Sequence, residues 1–482
     1  MVYDVVVVGT GIVGTSIARE LSKYGISIAL VDKEPDFGWG ATKANSAIVH
    51  AGYDDEPHTL KSHLCARGNA LFEKLCMEVD APFERNGSMV VAFDSKDEKK
   101  VEELYERGLK NCVPMLRVLE KKELLEREPN INEEASCALF APSAAITIPY
   151  ELTIGLAENA IANGVEVFLD TKVIGAEEKE EKVTLITDKG RIESSYVVNA
   201  AGLYADEISK LFGYGGFSVT PRRGEYFLFD KKFRPLVNST IFPTPTEKGK
   251  GILVAKTCED IMLIGPNSRD LSAEEKENTE TTQEGLREVF DGVKKLVPDI
   301  EKARRYVIKN FAGNRPQSST KDFIIEQKGR LINVAGMQSP GLTAAPAIAE
   351  YVAEMLKYNM SMKKKESFNP IRKRMRAFRE MSNEERKKAI KENPLYGHIV
   401  CRCEHVSEAE IVEAVKRGAR TLDGVKFRTR CSMGRCQGGF DLPFVVEIIS
   451  RETGISAKEI LKNSKGSEVI KAYNKELLRE EK

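Results

Sequence analysis

The chain has 482 residues, enough for two or three domains with a generous core, and its 73 basic residues balance 73 acidic ones. That zero sum gives no global reason to bind nucleic acid or an anionic membrane, and no apolar run is long enough to span a bilayer. Asp4 and an apolar run begin too soon after Met1 for a secretory signal, and nine cysteines are too sparse for a disulfide framework, so a cytoplasmic location is expected.

In chain order, Val5-Val6-Val7-Val8 reads as a buried parallel strand, followed by Gly9-Thr-Gly11-Ile12-Val-Gly14 and a helical pattern through Ile17, Ala18 and Leu21. The glycines permit a tight turn and close approach of the backbone to a pyrophosphate, whose charge then sits on the helix N-terminus. A second strand, Ile28-Ala-Leu-Val31, ends at Asp32, which is placed to accept from ribose hydroxyls and to disfavour a 2′-phosphate; Lys33 follows it. A glycine motif alone is weak. Strand, turn, helix, strand and acid in register point to an adenine dinucleotide.

The next segment, Gly38-Trp-Gly40-Ala41-Thr42-Lys-Ala-Asn45-Ser46, is rich in small residues, of the kind that wraps a flavin. Two later segments return to the same sheet, Tyr196-Val-Val-Asn-Ala-Ala201-Gly202 and Leu331-Ile-Asn-Val-Ala-Gly336, the second followed by Ser339-Pro-Gly341-Leu342-Thr343 and a helical pattern to Leu356. On these motifs, residues 1 to about 360 resemble the FAD-dependent oxidoreductases of the D-amino-acid oxidase and glycerol-3-phosphate dehydrogenase type. The resemblance implies FAD, with the Val-Asn-Ala-Ala-Gly strand near the cofactor and the Gly-Leu-Thr turn capping its pyrimidine end. The cofactor contacts it implies are Gly9, Gly11, Ile12, Gly14, Asp32, Lys33, Ala41, Thr42, Asn45, Ser46, Val173, Ala201, Gly202, Gly336, Gly341, Leu342 and Thr343.

The expected fold is α/β. A Rossmann-type FAD-binding domain is assembled from about 1–80, 151–214 and 326–362 within a flavin body of 1–362. Short alternating strands such as Ser88-Met-Val-Val-Ala-Phe93, Glu225-Tyr-Phe-Leu-Phe229 and Ile261-Met-Leu-Ile264 predict an antiparallel-sheet substrate subdomain over about 81–150 and 215–325.

Four residues are candidates for the chemistry. His50 stands just after the flavin-wrapping segment, where a base can reach a substrate hydroxyl; the bland alternative is a histidine that only braces the loop. Arg315, in Ala312-Gly-Asn-Arg-Pro316, matches a turn that holds the substrate's anionic group in the resembled family, and its planar fork suits carboxylate or phosphate. Arg223 and Tyr226 on a neighbouring strand are weaker candidates, because a strand-edge Arg and a core Tyr are common. The segment around His50 looks most like the L-2-hydroxyglutarate oxidase branch, whereas the C-terminal tail resembles that of the anaerobic-type glycerol-3-phosphate dehydrogenase large subunit. Both substrates are small anionic hydroxy compounds. Glycerol 3-phosphate is the leading expectation and L-2-hydroxyglutarate, or another 2-hydroxy acid, the alternative.

Residues 363–396 read as a basic helical linker, with Ser382-Asn-Glu-Glu385 a capping box and Asn393-Pro394 a stop. The remainder, 397–482, reads as a small helical module in which Ser407-Glu-Ala-Glu410 is a second capping box. It holds Cys401-Arg-Cys403 and Cys431-Ser-Met-Gly-Arg-Cys436, and two close thiolate pairs on separate loops suit an iron–sulfur cluster or zinc. The stretch resembles the bacterioferritin-associated ferredoxin-like [2Fe–2S] domain. Related tails often have a further cysteine where this chain has Asp441, and its absence leaves four ligands intact. A flavin beside such a cluster implies a dehydrogenase that passes single electrons to a partner protein or subunit. No nucleic acid and no direct membrane span are expected, and the oligomeric state is left open.

Overall fold

Val2–Val8 is β-branched along both faces, and Val5, Val6 and Val7 are wholly buried. Such a strand needs packed layers above and below it, as in a parallel sheet covered by helices. In the computed structural model, which describes residues 2–246 and 249–472, Val2–Val8 sits within an eight-stranded sheet. It pairs in parallel with Ile28–Val31 on one side and Gly190–Asn199 on the other. Glu166–Phe168 and Leu331–Ala335 extend the parallel set, and antiparallel strands Val173–Glu178, Val183–Thr187 and Ile324–Lys328 complete the sheet. Because the parallel strands share a direction, the residues that follow them gather along one edge. Gly9, Asp32, Ala200 and Gly336 all stand there, at the carboxyl ends where α/β sheets bind ligands.

The second sheet has nine strands, drawn from 88–141 and 219–318, the stretches expected to form the substrate subdomain. Its longest pair, Val219–Phe229 with Val307–Ser318, is antiparallel over its whole length. The sheet departs from the expected antiparallel pattern at one place, where Thr240–Pro243 runs parallel to Ser88–Ala92. These two strands come from different chain segments, so no hairpin dictates their relative direction. Ser88–Ala92 is buried throughout. Met89 and Val91 enter one apolar cluster with Phe229 and Phe290, while Val90 and Ala92 enter another with Leu104 and Tyr226.

The chain divides into two units, Met1–Lys33 with Phe37–Arg372, and Glu34–Asp36 with the chain from Lys373 onward. The stretch read as a basic helical linker is shared between them. Residues 363–372 are strapped to the first unit, where Gly25 N donates to Lys363 O at 2.9 Å and Arg372 pairs with Glu158 at 2.7 Å. From Lys373 to Gly397, helix is confined to Asn383–Glu392 and two single 3₁₀ turns, Phe378–Glu380 and Pro394–Gly397. The capping box of Ser382 and Glu385 opens Asn383–Glu392. Arg376 and Arg379 of the basic run are taken up by Glu392 and Glu404.

In the second unit, Ser407 and Glu410 form the other capping box at the head of Glu408–Lys416. That helix packs with Leu422–Thr429 and Leu442–Thr453 around Val400, Ile411, Val425, Val445 and Ile449. The last ten residues of the expected 397–482 module lie outside the described residues. Among the described residues no helix is long and apolar enough to cross a membrane.

Gly68 lets Leu60–Val79 approach Gly341–Asn359, since a Cβ there would lie 2.1 Å from Thr343 O. Gly68→Ala is therefore expected to destabilise the first unit by overpacking, by about 1–3 kcal/mol. Thermal unfolding of the purified chain checks this, and an unchanged Tm would mean that the helices part freely at this point.

Candidate functional site

The cofactor cradle starts at backbone contacts too tight for a side chain. A Cβ at Gly9, whose φ is +108°, would lie 2.4 Å from Ala200 O, and one at Gly14 would lie 1.9 Å from Gly9 O. The helix Ile12–Leu21 that follows has no side-chain cap at Gly11. Its Ile12 N–H donates to Thr42 Oγ1 at 3.0 Å, which brings the small-residue segment over the glycine loop. Asn45 braces that segment, donating to Ala41 O and Thr42 O and accepting from Ala47 N at 2.8 Å. A glycine loop with no room for a Cβ, an uncapped helix start and an acid at the next strand end fit a dinucleotide pyrophosphate and ribose.

Asp32 Oδ2 accepts from Thr10 N at 2.6 Å and Thr10 Oγ1 at 2.7 Å, so the carboxylate is anchored to the loop it serves. Lys33 turns to Glu277 at 2.8 Å and lies over the Tyr204 ring. Val173 is buried in the apolar cluster with Val6, Val8 and Val31. Ala201 and Gly202 start the 3₁₀ turn after Gly190–Asn199, with Gly202 at φ +58° and open space where a Cβ would be. Gly336, Gly341, Leu342 and Thr343 lead into Gly341–Asn359, whose N-terminus also lacks a side-chain cap.

His50 is tied to that second helix start. Its N–H donates to Thr343 Oγ1 at 2.8 Å, and its Nε2 meets Ser339 Oγ at 3.1 Å. Burial, with Lys250 adding repulsion, holds its pKa well below the ordinary 6.5, so the ring is a neutral base at pH 7. Two close approaches bring the long strand pair to this segment. A Cβ at Gly313 would lie 2.0 Å from Ala44 O, and Tyr226 hydrogen-bonds Ser46. Tyr226 is 2% exposed and stacks on Phe311 at 4.7 Å, and burial raises its pKa.

Arg315 is cross-strand from Arg222 and alternates onto the face of Tyr226, Phe311 and Gly313. Its Nε donates to Arg222 O at 3.2 Å and its Nη2 to Asn267 O at 3.1 Å. Among the described residues no carboxylate pairs with it, although burial is strong enough to lower its pKa. A half-buried guanidinium oriented by backbone oxygens, with Asp270 acting on it only at longer range, is suited to an anion. Arg223 points the other way. It pairs in register with Asn314, is 4% exposed, and donates to Asn278 Oδ1 at 3.3 Å in a polar cluster behind the strand. The structure therefore brings His50, Tyr226 and Arg315 toward the flavin-wrapping segment and leaves Arg223 on the opposite face.

Sequence reasoning missed Lys250, Asp54 and Asp55, which line a cleft with His50, Tyr53 and Phe242. Lys250 pairs with Asp54 at 3.2 Å. Burial works against its charge, but Asp54 and Asp55 outweigh that and hold its pKa above the usual value. Burial in turn raises the pKa of Asp55. The only local signal was Gly249-Lys250-Gly251, which looks like a solvated turn.

In the second unit, Cys401 is lowered in pKa by a hydrogen bond with Cys431, which is raised in return. Cys403 and Cys436 make a second hydrogen-bonded pair. A Cβ at Gly434 would lie 2.3 Å from Cys403 Cβ, so the two cysteine loops are pressed together. Four thiols converging from two such loops fit a [2Fe–2S] centre. The buried pair has an unforeseen companion, since Cys401 Sγ, Cys431 Sγ and a carboxylate oxygen of Asp441 all lie within 4.8 Å of one another.

Glycine loop, acid-ended second strand and sheet-edge histidine define a flavin-dependent oxidoreductase. The chain belongs to the FAD dependent oxidoreductase family, whose profile matches residues 4–355, and a BFD-like [2Fe-2S] binding domain matches residues 399–450. It is 46% identical to a glycerol 3-phosphate dehydrogenase of Caloramator mitchellensis, over 97% of this chain and 98% of that one. An L-2-hydroxyglutarate dehydrogenase of Escherichia coli is 32% identical over 55% of this chain and 64% of its own length. Among solved structures, the dithionite-reduced L-α-glycerophosphate oxidase of Mycoplasma pneumoniae with FAD bound superposes with a TM-score of 0.72. It is 28% identical over 77% of this chain and 98% of that one.

Asp32 is expected to bond the ribose, so Asp32→Asn should take the charge from that bond, a loss of roughly 1.5–3 kcal/mol. FAD should then dissociate at least about tenfold more readily on dilution. Flavin fluorescence reads this directly, and undiminished affinity would mean that Asp32 serves only the loop.

Proposed function

We propose that the enzyme oxidises sn-glycerol 3-phosphate to dihydroxyacetone phosphate and delivers the electrons singly, through its cysteine-bound centre, to a partner protein. The observation that carries the reading is Arg315, a half-buried, backbone-oriented guanidinium without a paired carboxylate among the described residues, on the strand pair that meets the segment leading to the neutral base His50. A 46% identical relative over nearly the whole chain, tail included, supports this substrate over L-2-hydroxyglutarate.

Bound FAD supplies the acceptor for a hydride from the substrate's C2. The protein's share is positioning and proton transfer. Arg315 grips the phosphate with two parallel bonds. His50 takes the C2 hydroxyl proton as the C=O bond forms, so two electrons and two protons leave the substrate together. Ser339 and Thr343 fix the ring and backbone of His50 for this transfer. Cys401, Cys403, Cys431 and Cys436 would hold the [2Fe–2S] centre, which supplies a one-electron outlet.

Anaerobic mixing with glycerol 3-phosphate, L-2-hydroxyglutarate, L-lactate and amino acids tests the substrate. Glycerol 3-phosphate should bleach the flavin fastest, and preferential bleaching by L-2-hydroxyglutarate would replace the reading with the alternative. Because His50 is lowered in pKa, its base form persists to acid, so the acid limb of kcat/KM should lie well below pH 6.5. Arg315→Lys keeps the charge but loses the fork, so KM should rise about tenfold or more, at least about 1.4 kcal/mol. An unaltered KM would mean that the anion is held elsewhere.

The outlet is tested by separating the half-reactions. In a Cys431→Ser/Cys436→Ser chain, iron should be lost while substrate still bleaches the flavin in one turnover. Steady reduction of the physiological partner should collapse, while a small dye touching the flavin should still be reduced. A double variant that reduces the partner at the parent rate would make the tail a zinc staple instead of a relay.

A further inference from the structure

Arg223 is buried on the face of the strand pair turned away from His50 and Arg315. Among the described residues no carboxylate pairs with it, Glu275 acting only at longer range, and its Nε has no hydrogen-bond partner. A guanidinium so placed is costly, and its Nη1 reaches only a neutral acceptor, Asn278 Oδ1, at 3.3 Å. Asn314, directly cross-strand from Arg223, turns to the same place, its Nδ2 donating to Lys276 O and Asn278 O at 3.0 Å each. Glu225, two residues on and so on the same face, accepts from Thr282 N. Three buried side chains behind the substrate sheet are thus spent on one segment, residues 271–282, between Arg269–Asp270 and the helix Gln283–Lys294.

The same segment also grips the cofactor edge of the first sheet. Lys276 Nζ donates to Asp206 Oδ1 at 3.0 Å and to Glu207 Oε1 at 2.7 Å, and both Lys276 and Asp206 are buried. Glu277 Oε1 accepts from Lys33 Nζ at 2.8 Å and from Tyr204 OH at 2.7 Å. Lys33 directly follows the ribose acid Asp32, and Tyr204, Asp206 and Glu207 follow the Ala201-Gly202 turn. The strands that lead to these residues flank Val2–Val8 on its two sides, so Lys276 and Glu277 bridge the chain on either side of the glycine loop. Apart from the 3₁₀ turn Ala273–Glu275 and its capping box, the segment has no regular structure of its own. It is held by side chains at both faces and can lift without breaking a sheet. We propose that residues 271–282 are a strap that closes the ribose end of the FAD site, and that Arg223 is a positioning residue that holds the strap shut from behind the substrate sheet. The Lys33–Glu277 pair is largely exposed on its acidic side and adds little, so the buried anchors Lys276, Arg223 and Asn314 carry the closure. The inference concerns the cofactor and holds for either substrate.

The test is the rate of FAD release from the purified full-length chain, read as the rise of flavin fluorescence on dilution, with Tm measured alongside. Arg223→Gln and Lys276→Gln should each release FAD about fivefold faster or more, as expected for the loss of a hydrogen bond at the closed strap. The double variant should gain no more than about twofold over the faster single one, because either change opens the same strap. Fully additive effects, or release at the parent rate from both folded variants, overturn the inference. So does an Arg223→Gln chain that keeps the parent's FAD release but shows a raised KM with FAD at saturation, since Arg223 would then serve the substrate. Should the buried variants fail to fold, hydrogen–deuterium exchange of the parent chain decides. Exchange across 271–282 should slow on FAD binding by more than it does across Gln283–Lys294, and equal protection of the two segments overturns the strap.

Discussion

The absence of any side chain between Gly9 and its neighbours is the constraint on which the flavin site depends. The Gly9 turn lies against Ala200 O, and the first turn of Ile12–Leu21 lies against Gly9 O, at separations that only glycine permits. Val2–Val8 and Gly190–Asn199 can therefore deliver their ends to the same point, and the helix presents its uncapped amides there. Thr42 and Asp32 then need only one or two hydrogen bonds each to bring the wrapping segment and the ribose acid into place. A similar economy recurs at Gly68 and Gly313, where backbone-to-backbone contact draws Gly341–Asn359 and the substrate sheet toward the same segment.

Backbone requirements of this kind are legible in a sequence, because they are written in glycines at fixed spacing and in local polar signals. The glycine loop, the two capping boxes and the two cysteine pairs depend on residues a few positions apart, and each stands where its local pattern implies. Side-chain direction across strands is less legible. Arg222, Arg223 and Arg315 are equally basic in the sequence, and only the pairing of Arg222 with Arg315 places Arg223 on the far face. Lys250 was hidden for a related reason, since a lysine between two glycines reads as solvated until Asp54 and Asp55 are brought to it from almost two hundred residues away. The basic run after residue 362 shows the same limit. Its charges read as a basic helical linker, and the structure engages Arg372, Arg376 and Arg379 with carboxylates from other elements.

Charge at the candidate site is matched unevenly. Lys250 is paired with Asp54 at 3.2 Å and has Asp55 beside it, so its charge is answered within the cleft. Arg315 has no carboxylate paired with it among the described residues, Asp270 acting on it only at longer range, and burial lowers its pKa. Removing a guanidinium from water is costly for the free protein, and under the proposed function an anionic substrate relieves that cost on binding.

At the cysteine end the polar contacts serve the ligand loops. Asp441 Oδ2 accepts from Ser432 N at 3.0 Å and from Cys431 Sγ at 3.3 Å, so the start of Leu442–Thr453 is tied to the second cysteine loop instead of being capped by its own aspartate. A Cβ at Gly434 would lie 2.3 Å from Cys403 Cβ, so the first cysteine loop can press on the second only because a glycine stands there. The thiols are thus brought together by backbone approach and by one buried side chain, which is why two short Cys motifs suffice to make the site readable in the sequence while the aspartate that joins them is not.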